Sequence, residues 1–450
     1  MAASESETRS SPRLSVLVLI VGLALAGAAS MVYYHLHFFV PNVLEARATK
    51  GLGNGYSFGD DFYSIWLTSR QWPNEHVDFY SPEMTREIQV GLYGRPLDAR
   101  NPTDPPLDYR SFAYPATADL VLWPAATLDF PTLRIVLAIL LPLLTAASVW
   151  LWMLALRWRC GPIWLTVAVV LTLCNYPVLE ALFAEQPGVI VGFLLACAAL
   201  ALRRNRLLLA GALIALTLIK PQMTLLAAAY LLIWSLSERR FKFCVGFLAI
   251  TLPLLGASLW IWPSWIGHWM RVLFGYHRYS TPNLVTLLPG PTLGAYIGPA
   301  ATVVLVVIGM WLAWRHRHAP ADSLDFWLTL SLLLAITSVA ILPGQAFYDH
   351  VILLPGIFLL LRYRRELRCA GRVPRTLLAV GSVVLFWPWI ASLALVAVHP
   401  WITPAHFESN AVFTLPIRTV ASLPFAVLAL LGCATRVNLC GTQPFARESA

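Results

Sequence analysis

Apolar runs too long for a soluble core helix constrain this chain more than any other feature. "LSVLVLIVGLALAGAASMVYY" (14–34) and "IVLAILLPLLTAASVWLWMLAL" (135–156) each exceed the roughly 18 residues that mark a membrane span. Lipid offers no partner to a backbone N–H or C=O, so such runs must satisfy themselves as helices. With 58% hydrophobic and 12% charged residues, the chain reads as an all-α polytopic membrane protein. Apolar runs and polar joints alternate to give about 12 transmembrane helices. They lie near 14–36, 133–157, 161–176, 187–202, 207–219, 222–236, 241–262, 296–314, 324–342, 346–361, 376–397 and 411–434.

The net charge of +9 does not point to nucleic acid, because the arginines stand in short clusters between apolar runs. "RWRC", "RRNR", "SERRFK", "RHRH", "RYRRELRCAGRVPR" and both termini hold twenty of the 32 Lys and Arg residues. The positive-inside rule puts these segments in the cytoplasm, with the bilayer as partner. The 7 cysteines show no paired spacing, so neither a disulfide framework nor a metal site is expected. The first apolar run continues past a signal-peptide h-region through "MVYYHLHFFV", which favours an uncleaved anchor. Four regions follow: 1–36, tail and first span; 37–132, a large first outer loop; 133–435, a helix bundle; and 436–450, a cytoplasmic tail.

The outer side gathers the residues that need a reason. "GDDFY" puts Asp60 and Asp61 together at the edge of the membrane, in a chain with only 23 acids. "SFGDDFYSIWLTSRQW" suits a helix starting near Asp60, where first-turn carboxylates are favoured by the helix dipole. A capped loop helix accounts for that pattern; so does a carboxylate kept ionised as a general base. Lys220 interrupts an apolar stretch just before Pro221 and Gln222, on the side away from the arginine clusters. It reads either as a snorkelling anchor or as a phosphate contact. "GQAFYDHVILLPG" brings Gln345, Tyr348, Asp349 and His350 to the same side, with Gln186 beside Glu185 and Tyr114 before Pro115. "ATADLVLWPAATLDF" is apolar but too short to cross, and reads as a helix lying in the interface or dipping back. An aromatic-rich loop around 262–283 carries Arg271 and Arg278.

These stretches, in this order, resemble glycosyltransferase family 87, whose members are polyprenyl-phosphate-mannose-dependent. The resemblance rests on "DFY" in the first outer loop, "FAYPATADLVLWP", "AEQPGVIVGFLL", "KPQ" and "YDHVILLP". It implies a C-type glycosyltransferase fold in the plasma membrane, with the active site on the periplasmic or extracellular side. The donor would be a polyprenyl-phosphate sugar, with mannose the family default, and the acceptor a glycolipid or glycan. By the same resemblance Asp61 falls in the place of the acceptor-activating base, with Asp60 as its understudy. His350 joins the catalytic set, while Lys220, Gln222, Arg271 and Arg278 are placed near the donor phosphate. Tyr63, Tyr114, Gln186, Gln345, Tyr348 and Asp349 would line the substrates. No cofactor and no metal are expected. The competing reading is a transporter or flippase of a lipid-linked sugar or small anion. Against it stand the absence of an internal repeat and the large acidic outer loop.

Overall fold

The computed structural model describes residues 14–52, 59–75, 78–276, 283–286, 291–344, 346–401 and 411–437. No β-strand occurs among them, and helices carry the whole fold. Six helices are long and apolar enough to cross a membrane: Leu14–Thr49, Phe130–Ala155, Phe241–Ile261, Ile297–Arg315, Arg372–Trp401 and Leu415–Ala434. Pro162–Leu173 and Tyr176–Phe183, bent by 61° at their break, would supply a seventh. Four further apolar helices, Pro187–Arg203, Leu207–Ile219, Pro221–Ser237 and Leu324–Ala340, have only 10–17 residues. About twelve spans were expected, so the count of full-length helices is roughly half that. The shortfall has a simple cause: a crossing needs about 20 residues, and Pro or Lys-Pro breaks cut several runs below that. The run near 346–361 is one of these, a 3₁₀ turn at Phe347–Leu353 leading into the helix Leu354–Arg362.

Burial sorts the helices. Phe241–Ile261 leaves Val245, Leu248, Leu252 and Trp260 exposed, the face a lipid-facing helix presents. Leu324–Ala340 is buried on every side apart from Asp325, as expected of a helix at the centre of a bundle. Helices Leu207–Leu216 and Phe241–Ile261 touch backbone to backbone. A Cβ at Gly211 would land on the Phe243 carbonyl, and one at Gly246 on the Leu208 carbonyl. Small residues permit this approach, which drives helix association where lipid removes the hydrophobic incentive.

The first helix runs on to Thr49, past the boundary expected at 36, through a π-helical turn at His35–Phe39. The segment that follows has its own apolar core, built around Phe62, Ile65, Phe79, Ile88, Phe112 and Phe130. "ATADLVLWP" forms a short helix, Ala116–Leu122, and a 3₁₀ turn, Trp123–Thr127. Its Asp119 is buried and accepts a hydrogen bond from Thr68 Oγ1 at 2.9 Å. The aromatic-rich loop contributes the helix Trp265–Tyr276. That helix is pinned to the segment before the Phe130–Ala155 helix by His268 Nδ1 on Asp78 (2.6 Å) and by Trp269 Nε1 donating to the Ala113 carbonyl (2.9 Å).

Candidate active site

"GDDFY" begins a helix, Asp60–Glu75, and the glycine explains how. Gly59 sits at φ 77°, left-handed backbone that glycine adopts without strain, and a Cβ there would meet the Glu185 carboxylate. The Gly59 N–H donates to the Phe183 carbonyl (2.9 Å) and the Asp61 N–H to the Ala184 carbonyl (3.2 Å). The start of the carboxylate helix is thereby stitched to the turn that precedes Gln186.

Neither carboxylate is an exposed cap. Asp60 is buried, and its Oδ2 accepts from Arg110 Nη2 at 2.8 Å and Arg47 Nη2 at 3.0 Å. Asp61 Oδ1 accepts from Arg110 Nη1 at 2.5 Å, and Asp61 Oδ2 from Gln186 Nε2. One guanidinium thus bridges the pair, as its planar fork allows. Beyond Gln186 the chain of contacts continues: Lys220 Nζ donates to Gln186 Oε1 (2.9 Å) and to Asp349 Oδ1 (2.6 Å). The ammonium also lies 5.1 Å from the centre of the Tyr348 ring. Gly188 makes room for Asp349, whose Oδ1 occupies the space a Cβ at that position would need.

Charge in this cluster is balanced, with Arg47, Arg110 and Lys220 facing Asp60, Asp61 and Asp349. Burial pushes the Asp60 pKa up from its ordinary value, opposed by Arg110, reinforced by Asp61 and opposed again by Arg47. Burial by itself would lower Arg110; Asp60 and Asp61 more than reverse that, so its guanidinium stays charged. The two acids differ in access, at 9% exposure for the Asp60 side chain and 17% for Asp61. Asp61 also keeps free lone pairs, since each oxygen accepts one protein hydrogen bond and a carboxylate offers about four acceptor sites.

Five of the residues singled out in the sequence (Asp60, Asp61, Gln186, Lys220, Asp349) therefore form one connected network, with Tyr348 beside it. The others are placed differently. Lys220, only 4% exposed, spends its contacts on Gln186 and Asp349, itself 1% exposed, rather than standing free for a phosphate. His350 is buried, and its Nδ1 meets no partner among the described residues. Tyr63 is buried in the apolar core built around Phe62 and Phe112, its ring edge-on to Phe130 at 4.9 Å. Tyr114 packs near Phe112, and its carbonyl accepts from the Tyr80 hydroxyl. Gln222 is half-buried in the first turn of Pro221–Ser237. Arg271 lines a separate cleft, together with Arg86 and Asp108. Arg278 and Gln345 lie outside the described residues.

Sequence reasoning missed Arg47 and Arg110, the two cations that hold the carboxylate pair. The available signal was topological: both are basic residues in the segment that the arginine clusters lead one to expect on the outer side, where the positive-inside rule gives them no reason to be. A small groove also escaped notice. Phe39, Val40, Val43, Leu44 and Phe183 wall it, and Arg47, Asp60 and Glu180 stand at its charged end. Among the described residues no group of three or more His, Cys, Asp or Glu side chains is arranged to hold a metal.

Comparison with known proteins gives one match. The model of glycosyltransferase family 87 covers residues 112–343, just over half of the 450-residue chain. No curated protein and no solved structure matches it. The matched stretch includes Tyr114, Gln186 and Lys220, while Asp60, Asp61 and Arg110 precede it and Asp349 follows it.

Proposed function

The chain belongs to glycosyltransferase family 87 and is a membrane glycosyltransferase; from that premise we propose that it moves a sugar from a polyprenyl-phosphate donor to an acceptor hydroxyl. The expected sugar is mannose, the acceptor a glycolipid or glycan, and the site the outer face of the plasma membrane. A C-type fold of about twelve spans, the shorter helices included, belongs to the same reading. The observation that carries it is the network running from Asp60 through Arg110, Asp61, Gln186 and Lys220 to Asp349.

Asp61 serves as the base, being the more accessible acid and bound by one guanidinium rather than two. The acceptor oxygen attacks the anomeric carbon, and its proton passes to Asp61 Oδ2. The bond from that carbon to the phosphate oxygen breaks with inversion, and its electron pair leaves with polyprenyl phosphate. Positive charge builds on the sugar ring in the transition state, as in glycoside hydrolysis. Negative charge grows on the departing phosphate, where fixed cations lower the barrier. The small apolar groove walled by Phe39, Val40, Val43 and Leu44 marks where the polyprenyl chain would approach the network, with Arg47 beside Asp60 and Glu180 at its charged end. Arg47, Arg110 and Lys220 each hold a carboxylate of the network, so in this reading the phosphate draws on a cation that it shares with one of those acids. Lys220 joins the same network through Gln186 and Asp349, and His350 follows Asp349 in the chain.

The test is transfer from radiolabelled polyprenyl-phospho-mannose to extracted membrane acceptors by the purified protein in proteoliposomes. Label in the acceptor supports the reading. Label carried across the bilayer still attached to its lipid, with none in the acceptor, would replace it with the flippase reading.

A further inference from the structure

One buried acid beside this network has no part in the chemistry above. Glu185 stands where the helix Tyr176–Phe183 ends and the chain turns into Gln186. Two backbone bonds close that turn, from the Gln186 N–H to the Ala181 carbonyl (2.8 Å) and from the Glu185 N–H to the Leu182 carbonyl (3.3 Å). Helix ends closed in this way put one residue in left-handed backbone, and glycine is the usual occupant. Glu185 takes that place at φ 52°, a conformation that a side chain makes costly. The carboxyl adds a second cost: Glu185 is fully buried, and neither of its side-chain oxygens meets a hydrogen-bond partner among the described residues. Glycine would serve the turn better on both counts, so the turn alone does not explain an acid here.

What the carboxyl touches says what it controls. Its Oε2 lies against Gly59, in the space a Cβ there would need, beside the stem of Arg134. The two carbonyls before it, of Phe183 and Ala184, hold the N–H groups of Gly59 and Asp61. Gln186, just after it, donates to Asp61 and accepts from Lys220. Glu185 is thus the pivot of the turn that holds the start of the carboxylate helix. Two charged groups face it, Arg134 from the helix Phe130–Ala155 and Asp60 from the helix Asp60–Glu75. Glu180, on its own helix, is turned to His35 (3.8 Å), and Asp349, on the 3₁₀ turn Phe347–Leu353, is turned to Gly188 and Lys220. Burial pushes the Glu185 pKa up to about 8, Arg134 opposes the rise and Asp60 adds to it. A carboxyl sealed without partners is far less costly neutral than charged.

We propose that Glu185 is a positioning residue that makes the site sensitive to pH. With its proton it stays sealed against Gly59; once the proton passes to solvent, the carboxylate swings toward Arg134 and water and draws the turn 183–186 away from Asp61. Its effect on rate rests on the transfer reading, but the displacement is measurable without transfer. Hydrogen–deuterium exchange on the purified full chain in phosphatidylcholine nanodiscs, corrected for the intrinsic pH dependence of exchange, reads the Gly59 and Asp61 amides. At about pH 9, roughly one unit above the titration, the ionised form outnumbers the neutral one about 10-fold, so protection of those amides should fall by about that factor from its value near pH 7. Glu185→Gln cannot ionise and should keep its protection at both pH values. Glu185→Gly should keep it too and melt higher, because glycine suits the left-handed backbone. Wild-type turnover in the transfer assay should fall as pH rises through about 8, and both variants should lose that fall. Protection in the wild type that does not change across the range, an equal loss of protection in Glu185→Gln, or a fall in turnover that persists in both variants would overturn the proposal. Protection that responds as stated while no sugar is transferred at any pH would instead sink the transfer reading and support Glu185 as the pH-sensitive pivot of the turn.

Discussion

At the scale of single residues, the Lys220–Asp349 pair is the place where sequence and structure diverge in a measurable way. Read alone, Lys220→Met removes a snorkelling charge and leaves a folded protein. Seen in contact with Asp349, the same change strands a buried carboxylate, which typically costs about 3–5 kcal/mol. We therefore expect Lys220→Met to lower the melting temperature sharply and Lys220→Met/Asp349→Asn to recover much of it. Independent, additive losses would show that the pair does not matter to folding. A pH effect follows from Asp119, whose pKa burial raises to about 7, against the pull of Ser69 and Thr68. A carboxyl with a folded pKa above its unfolded one stabilises most below the unfolded value, and that contribution is lost as pH climbs through the folded value. Melting should fall by about 1–2 °C per pH unit between roughly pH 5 and 7, and Asp119→Asn should flatten that slope. A slope unchanged in the variant would contradict the assignment. Asp60, Asp61, Gln186, Lys220 and Asp349 were legible because polar groups are conspicuous in an apolar chain. Arg47 and Arg110 were not, since Arg110 meets Asp60 across 50 positions of sequence and reaches it from a left-handed backbone that nothing local announces.

At the scale of elements, the sequence marked where apolar runs begin and end, and mispriced how many are long enough to cross alone. Hydropathy counts residues, whereas a span is a length, and the Lys220–Pro221 break shortens two neighbouring runs at once. The apolar helix expected near 324–342 is present at Leu324–Ala340, but burial on every side leaves no polar face from which its central place could be read. Glycines at helix contacts are equally silent, because their role lies in the partner helix. Gly211 is the sharpest case. Gly211→Ala puts a methyl against the Phe243 carbonyl, and both backbones must part to admit it. The expected loss is about 1–3 kcal/mol of stability, read as a lower melting temperature in detergent, with Ala210→Gly as a control on the same helix. An unchanged melt would mean that the two helices are held apart by more than the structure shows.

At the scale of the whole molecule, a bundle of apolar helices meets a segment with its own apolar core, and the proposed chemistry lies at their seam. The proposed orientation rests on the arginine clusters, and cysteines introduced at Thr103 and Asn205 in a cysteine-free background test it. An impermeant thiol reagent on intact cells should label Thr103→Cys and spare Asn205→Cys; the reverse pattern would put the site on the wrong side. The family was legible from short motifs alone, but the seam was not, because its parts come from residues 47 to 349 and meet only when the bundle closes. The central claim is that this seam transfers sugar with Asp61 as the base, and single-turnover transfer from polyprenyl-phospho-mannose measures it directly. Asp61→Asn keeps the shape and the hydrogen bond from Arg110 but cannot take the proton. Its transfer rate should fall about 10²–10⁴-fold while donor binding is kept and melting drops only in part, because Arg110 still holds Asp60, with a milder loss of transfer in Asp60→Asn. Full transfer by Asp61→Asn, above all beside an inactive Asp60→Asn, would contradict the account.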